Sequence, residues 1–393
     1  MPAVLAWIDR HAARLGEEPV PLEEAVGRTL AAELIAPLDV PGFDRAAMDG
    51  YALRGAETAG AGEYNPVAFN VVGQAMPGQP LAGAPPTGAA VGIMTGAPVP
   101  EGVDAVVPAE YATQTAGQIV ITRPVAPGQH VGHCGEDIRK GSQALPAGRR
   151  LRPQDLGLAA SLGLAQVTVV RRPRVRILVT GNEVKAPGAP KSKYQIYDAN
   201  SYMLRGLIGR DAGLLEAQYR LADDPDRIRA ALLAPGADVI LVSGGSSVGR
   251  EDYAPQLIAE VGELAIHGVA MRPSSPAGIG RIGQTLVFLL PGNPVSCLCA
   301  YDFFAGRAIR LLGGRLPDWP HRTRQGLLAR KIVSAIGRVD YCRVRLDNGQ
   351  VEPIALSGAS VLSSTTRADG FVIVPAESEG YGPDTEVTVF LYE

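Results

Sequence analysis

Three glycine-bearing segments hold the residue types that a phosphate site needs: Thr180-Gly181-Asn182-Glu183, Ser243-Gly244-Gly245-Ser246-Ser247-Val248-Gly249 and Pro291-Gly292-Asn293-Pro294-Val295-Ser296. Glycine lets the backbone approach a ligand closely, and the free N–H groups at a helix start attract anions. One such segment reads equally as an ordinary strand-to-helix turn. Three of them, each placed after a strand-like run, point to a phosphate-bearing ligand. The positions read as ligand-binding are Thr180, Gly181, Ser243, Gly244, Gly245, Ser246, Gly249, Pro291, Gly292, Asn293 and Pro294.

Acidic residues stand close to these glycines. Glu183 ends the first segment, Asp252 follows the second, and Asp198 precedes a helix-like run. Two more lie in the N-terminal third, Asp49 in Ala46-Ala47-Met48-Asp49-Gly50-Tyr51 and Asp137 in Gly135-Glu136-Asp137-Ile138. A carboxylate beside a phosphate repels it unless a cation stands between them, so this pattern suggests Mg²⁺. For Asp198 and Asp252 the competing reading is a helix cap. Spacing does not show whether the N-terminal pair meets the other carboxylates.

The elements that would position these groups are legible in the middle third. Val175–Thr180, Val239–Ser243 and Leu286–Leu290 are short apolar runs, as strands buried on both faces should be. Asn200–Gly209, Pro225–Leu233 and Val295–Leu312 have helical texture, the second opening with Asp224 as cap and proline behind it. Alternating strands and helices predict a doubly wound parallel sheet, with ligands outside the carboxyl ends of its strands. Around it, residues 1–16, Pro21–Leu34 and Pro153–Leu162 read as helices. Short Val/Ile runs such as Val91–Met94 and Ile119–Thr122 give a β-rich stretch. Tyr341–Leu346, which alternates, with Phe371–Val374 and Glu386–Leu391 predicts a small C-terminal β-barrel or sandwich. The fold class expected is α/β plus β, multidomain. The domains are 1–45 with 135–172 (mixed), 46–134 (a β-rich insertion), 173–315 (central α/β) and 316–393 (β).

Composition agrees. The 393 residues are 46% hydrophobic, and 47 Gly and 32 Pro are spread over many turns. At roughly 100–200 residues per domain this is a chain of two to four domains. With 37 Lys plus Arg against 40 Asp plus Glu, the net charge of −3 argues against nucleic acid or an anionic membrane as partner. No apolar run approaches the ~18 residues of a membrane span, and residues 1–14 lack a signal peptide's apolar stretch, so the protein reads as soluble and cytoplasmic. Cys134, Cys297, Cys299 and Cys342 form no paired zinc motif. Cys297 and Cys299 read as buried small hydrophobes. His130 and His133 beside Cys134 read as loop residues rather than a metal site, and there is no Gly-x-Ser-x-Gly elbow.

In combination and in order, several segments resemble the molybdopterin molybdenumtransferase family (MoeA and the gephyrin E domain). They are Leu38-Asp39-Val40-Pro41-Gly42-Phe43-Asp44 running into Ala47–Ala52, Ile93–Pro100, Gly135–Ile138, Ile196-Tyr197-Asp198-Ala199-Asn200, Ser243–Gly249 with Asp252-Tyr253, and Leu290–Ser296. Together they span essentially the whole chain. The resemblance implies an elongated homodimer whose middle domain binds molybdopterin, with the active site completed by N-terminal domains of the partner subunit. It implies a reaction of adenylylated molybdopterin with molybdate that releases AMP and leaves molybdenum on the pterin dithiolene, with Mg²⁺ required. By motif, Asp49, Asp137, Glu183 and Asp252 are then the catalytic carboxylates, with Glu183 and Asp252 on the pterin side holding metal. Asp198, Arg272, Ser275, Arg343 and Ser364 join the ligand-binding set, Arg343 and Ser364 at the oxyanion site. For Arg343 a solvated strand position is the competing reading. A molybdopterin adenylyltransferase and a recipient molybdoenzyme are the implied protein partners.

The chain departs from the pattern at anion contacts. Where the family usually shows Lys-Pro-Gly-Lys-Pro, this chain has Arg272-Pro273-Ser274-Ser275-Pro276. One cation is changed in shape and the second is lost at Ser275. Asn182 replaces a common Asp, Asp369 a common Asn, and Gly132-His133-Cys134 is not strongly basic. These changes mark a divergent paralogue. They leave open a non-catalytic molybdopterin carrier or scaffold and, less well supported because of the extra terminal domains, a molybdopterin adenylyltransferase.

Overall fold

The computed structural model describes residues 1–245, 253–355 and 358–392. The chain forms two compact units, Val20–Val26 with Ala32–Val167, and Met1–Pro19 with Gly27–Ala31 and Thr168–Glu393. The second begins with helix α1 (Pro2–His11), which ends at His11, short of the predicted residue 16.

The first unit is built on a curled six-stranded sheet of β1 (Gly50–Leu53), β2 (Val67–Ala75), β3 (Ala89–Ile93), β4 (Ala105–Pro108), β5 (Ala112–Thr115) and β6 (Gln118–Ile121). Its order is β4-β1-β3-β2-β6-β5, antiparallel except where β2 pairs with β3. Helix α2 (Pro153–Ser161) starts with proline in its first turn, as its sequence predicts. Asp155 in that turn is 4% exposed and accepts from the Arg152 backbone N–H at 2.9 Å and from Arg149 Nη2 at 2.9 Å and Arg152 Nε at 3.1 Å. The helix predicted over Pro21–Leu34 is absent. A strand at Glu17–Pro21 and one 3₁₀ turn at Leu22–Glu24 stand there instead, and Gly27 takes φ +76, which no helix accommodates. The spacing of Ala25, Leu30, Ala31 and Leu34 imitated a helix face because all four are buried.

The central sheet of the second unit contains β7 (Arg174–Thr180), β8 (Leu214–Leu221), β9 (Val239–Ser243), β10 (Glu263–His267), β11 (Gly278–Ile282) and β12 (Thr285–Leu290), in the order β8-β7-β9-β12-β11-β10. The first four are parallel. The expected parallel sheet holds for these four, and at the other edge β11 pairs antiparallel with β12 and β10 antiparallel with β11. Alternate residues of β7, β9 and β12 face opposite ways. Ile177, Leu241 and Phe288 pack with Leu204 and Ile208 of α3 (Asn200–Arg210) and with α1. Leu178, Ile240 and Val287 pack with α4 (Pro225–Leu233) and α5 (Tyr253–Val261). Both faces are covered, so these strands read as apolar throughout. Arg176 is the exception. It is 1% exposed, donates to Glu216 Oε2 at 2.9 Å, and caps the end of α4 through the carbonyls of Ala231, Ala234 and Pro235. The helix predicted over Val295–Leu312 is observed as α6 (Pro294–Ala300) and α7 (Gly306–Leu312), joined by a π turn over Tyr301–Ala305.

The C-terminal region is a closed five-stranded barrel of β13 (Thr323–Leu328), β14 (Val339–Asp347), β15 (Gln350–Ala355), β16 (Gly370–Val374) and β17 (Glu386–Leu391), in which β14 pairs with both β15 and β16. The alternation read in β14 does not extend to burial, since Val339–Val344 is buried throughout. Cys342 and Val344 fill the barrel, while Val339 and Tyr341 pack into the α/β core. Among the described residues, no helix is long and apolar enough to cross a membrane.

Hydrogen bonds from Arg149, then Arg152, hold the Asp155 carboxyl well below the usual carboxylate range. A depressed folded value stabilises above the unfolded value of about 4 and loses that contribution as pH falls through the folded one. Asp155→Asn should therefore cost on the order of 2 kcal/mol at pH 7. In urea titrations from pH 7 downward, the gap to wild type should persist to about pH 4 and shrink below it.

Candidate functional site

Parallel pairing brings the strand ends together. Ser243 lies opposite Val179 on β7 and Leu290 on β12, so the turns after β7, β9 and β12 leave the sheet side by side. Asn200, the first residue of α3, ties two of them: its Nδ2 donates to Ser243 Oγ and to the Gly292 carbonyl, each at 2.8 Å. Gly244 has φ +94, and a Cβ there would lie 2.4 Å from the Thr180 carbonyl, so a side chain at 244 would force β7 and β9 apart.

These turns line a cleft of about 760 Å³. Of the residues predicted from sequence, Thr180, Gly181, Glu183, Asp198, Ser243, Gly244, Gly245, Pro291, Gly292, Asn293 and Pro294 all line it. Ser246, Gly249 and Asp252 lie outside the described residues. The cleft also takes in Asn200, Tyr197, Asp223 and Ser360, none of which the sequence reading assigned to it. Asp223 is fixed by a reciprocal pair: Asn182 N–H donates to its Oδ2 at 3.0 Å, and its own N–H donates to Asn182 Oδ1 at 3.3 Å. The pair ties the turn after β7 to the segment that follows β8. Thr180 Oγ1 is buried in the cleft wall with no hydrogen-bond partner among the described residues, the usual mark of a group awaiting ligand or water.

The charged side chains lining this cleft, among the described residues, are Glu183, Asp198 and Asp223, with no lysine or arginine. Asp198 is buried and occupied. It accepts from the Ser201 N–H at 3.0 Å, Ser201 Oγ at 2.5 Å and Arg220 Nη1 at 3.3 Å, so it caps the first turn of α3 while forming the wall. Glu183 is exposed, with its carboxylate folded back over Gly181. Among the described residues, no group of three or more His, Cys, Asp or Glu is arranged to hold a metal ion. Cys297 lies beneath the cleft, 3.8 Å from Ser243 Oγ, and burial pushes its thiol up to about 12. It is the inert core residue its surroundings in sequence suggest.

Arg272 and Ser275 line a neighbouring cavity, not the cleft. Arg343 is fully buried, not a solvated strand residue, and its Nη2 lies 4.0 Å from where a Cβ on Gly358, a residue that lines that cavity, would stand. Ser364 is also buried and donates to the Val361 carbonyl at 2.6 Å.

Asp49 and Asp137 belong to the first unit. Asp49 Oδ1 accepts from the Thr95 N–H and the Thr95 hydroxyl, each at 2.7 Å, which joins the Asp49 segment to Ile93–Pro100. The backbone bond, then the hydroxyl, holds the Asp49 carboxyl below its ordinary value. Asp137 is exposed, and its N–H donates to the Val40 carbonyl at 3.1 Å. Val40 also pairs with Ile138, and Asp44 accepts from the Cys134 N–H at 2.8 Å. The stretch from Val40 to Asp49 is thus joined to two distant segments, Ile93–Pro100 and Cys134–Ile138.

Comparison with known proteins assigns the chain in three parts. Residues 2–163 match the MoeA N-terminal region (domain I and II), residues 176–310 a probable molybdopterin binding domain, and residues 325–392 the MoeA C-terminal region (domain IV). The chain is 36% identical over 383 residues to Molybdopterin molybdenumtransferase 2 of Mycobacterium tuberculosis, covering 94% of each chain. It is 32% identical to Molybdopterin molybdenumtransferase of Haemophilus influenzae, covering 94% of this chain and 92% of that one. A crystal structure of a molybdopterin biosynthesis MoeA protein from Pyrococcus horikoshii superposes with a TM-score of 0.84 at 32% identity, over 100% of this chain and 99% of that one.

Gly244→Ala should lower stability by roughly 1–3 kcal/mol, from strain and strand separation at one position. A urea denaturation midpoint equal to wild type would show that the strand ends are not packed as described.

Proposed function

This chain belongs to the molybdopterin molybdenumtransferase (MoeA) family, and we propose that its cleft takes adenylylated molybdopterin, from which it releases AMP as molybdenum is inserted. Membership makes it an enzyme of molybdenum cofactor biosynthesis, acting by molybdenum insertion. What carries the finer reading is the cleft itself: three glycine-bearing turns at the ends of parallel strands, fastened by Asn200, with acid as its only charged lining among the described residues.

An acidic cleft accepts a phosphoanhydride only with a cation between them. The described lining offers carboxylates, carbonyls and hydroxyls, and no thiol or imidazole, which is the donor set of a hard cation such as Mg²⁺. Glu183 and Asp252 would hold it, and when bound it neutralises charge developing on the phosphates. The backbone N–H groups of the three turns orient the phosphates, and Asp198 keeps the α3 end in place. Asp49 and Asp137 position the attacking water. It forms the new P–O bond of AMP as the bond to the pterin phosphate breaks, and molybdate gives up oxygen as water, with the protons of the dithiolene thiols, as the sulfurs take the molybdenum. We further propose a cytoplasmic homodimer in which Asp49 and Asp137 come from the partner copy. It would receive substrate from a molybdopterin adenylyltransferase and pass the product to a recipient molybdoenzyme. The domain division at 1–45 with 135–172, 46–134, 173–315 and 316–393 belongs to the same reading.

The second reading, a non-catalytic pterin carrier, is favoured by one observation, the serine at 275 in place of a cation. Purified protein with adenylylated molybdopterin and Mg²⁺ separates the two. Molybdate-dependent AMP release, abolished by EDTA and reduced at least ~100-fold in Glu183→Gln and Asp252→Asn, is expected. Tight pterin binding without AMP release would establish the carrier. Full activity in both variants would remove these carboxylates from the mechanism.

A further inference from the structure

Three of the chain's five lysines, Lys185, Lys191 and Lys193, fall within one stretch of nine residues. They sit on an arm, residues 184–197, closed at its base by the short parallel pair Val184–Lys185 and Ile196–Tyr197. The arm contains no aspartate or glutamate, so it is a basic island on a molecule whose net charge is −3. Its own hydrogen bonds give it shape. The Ala189 N–H donates to the Ala186 carbonyl at 3.1 Å, the Ser192 N–H to Gln195 Oε1 at 3.0 Å, and the Tyr197 hydroxyl to the Ala189 carbonyl at 3.1 Å. Lys191 Nζ lies 5.6 Å from the centroid of the Tyr197 ring and Lys193 Nζ 5.7 Å from that of Tyr194, so each ammonium stays with a ring.

Ile196 and Tyr197 line the cleft, but Lys191, Lys193 and Tyr194 are not among its lining residues. A small molecule held in the cleft leaves these three to solvent. Tyr194 is 84% exposed and Ile196 55%. An ordered arm that holds such side chains in water among cations has the makings of a protein interface, where tyrosine supplies contact area and charge selects the partner. A polyphosphate chain or an anionic bilayer laid across the arm would also meet the carboxylates of the adjoining cleft, Glu183 and Asp223. We propose that the arm is a docking surface for the acidic face of a second protein, which it seats at the mouth of the cleft. A pterin could then pass between the two proteins directly. The charge argument stands on the observations above, and naming the partner as the molybdopterin adenylyltransferase rests on the function proposed for the cleft.

Binding of the purified adenylyltransferase of the same organism to the full-length protein, measured by calorimetry at low ionic strength, tests this. Lys191→Glu combined with Lys193→Glu should weaken binding about tenfold or more, and Tyr194→Ala about fivefold. Raising NaCl from about 50 to about 500 mM should weaken the wild type by a larger factor than the double variant. Both variants should keep AMP release from free adenylylated molybdopterin within about twofold of wild type, because none of the three residues lines the cleft. Lys193→Gln, which neutralises one exposed side chain, should weaken binding about threefold and keeps the test open if the double variant does not fold. The proposal is overturned if the wild type does not bind that protein, if the charge reversal leaves binding unchanged, if it slows AMP release from free substrate, or if the arm takes RNA or anionic lipid vesicles more tightly than the protein. Wild-type protein that binds the partner through the arm yet releases no AMP would support the docking surface while refuting the insertase.

Discussion

The carboxamide of Asn200 holds the site together. Its two hydrogen bonds, to Ser243 Oγ and the Gly292 carbonyl, fix the start of α3 against the turns after β9 and β12. Parallel pairing alone would bring the turns to one edge, but not at a set spacing. The close approach of Gly244 to the Thr180 carbonyl then sets the third turn, because no side chain fits between them. Everything the cleft can do follows from that spacing, since backbone N–H groups bind phosphate only when aimed at a common point.

Charge is sorted around this frame. The cleft has carboxylates and the adjoining cavity has guanidiniums, and the two share a wall of prolines and Asn293. A single mixed compartment would pair its own acids and bases and leave little field for a ligand. Keeping them apart leaves an acidic compartment and a basic one on either side of that wall, each with a field for a ligand of the opposite charge. Asp340 can be fully buried without spoiling the cavity because two arginines offset it.

Much of this was legible in the sequence, for local reasons. β7, β9 and β12 stood out because burial on both faces leaves continuous apolar runs, and the turns because only glycine and proline serve them. Three kinds of feature did not show. Long-range pairings were invisible: Asp223 meets Asn182, and Arg338 joins Arg272, only after the chain has folded. A buried charge inside an apolar strand, Arg176, has its reason in carbonyls more than 50 residues away. And apolar spacing misled over Pro21–Leu34, where Ala25, Leu30, Ala31 and Leu34 are buried on either side of the turn at Gly27 and not along one helix.

The most direct measurement is diffraction at the tungsten absorption edge from crystals grown with molybdopterin phosphate and tungstate, the heavier analogue of molybdate. The expected map has one tungsten peak in the cavity beside Arg272 and Arg338, with phosphate density over Gly244 and Gly292 in the cleft. Tungsten in the acidic cleft, or bound elsewhere with the cavity empty, would contradict the division of labour between the two compartments.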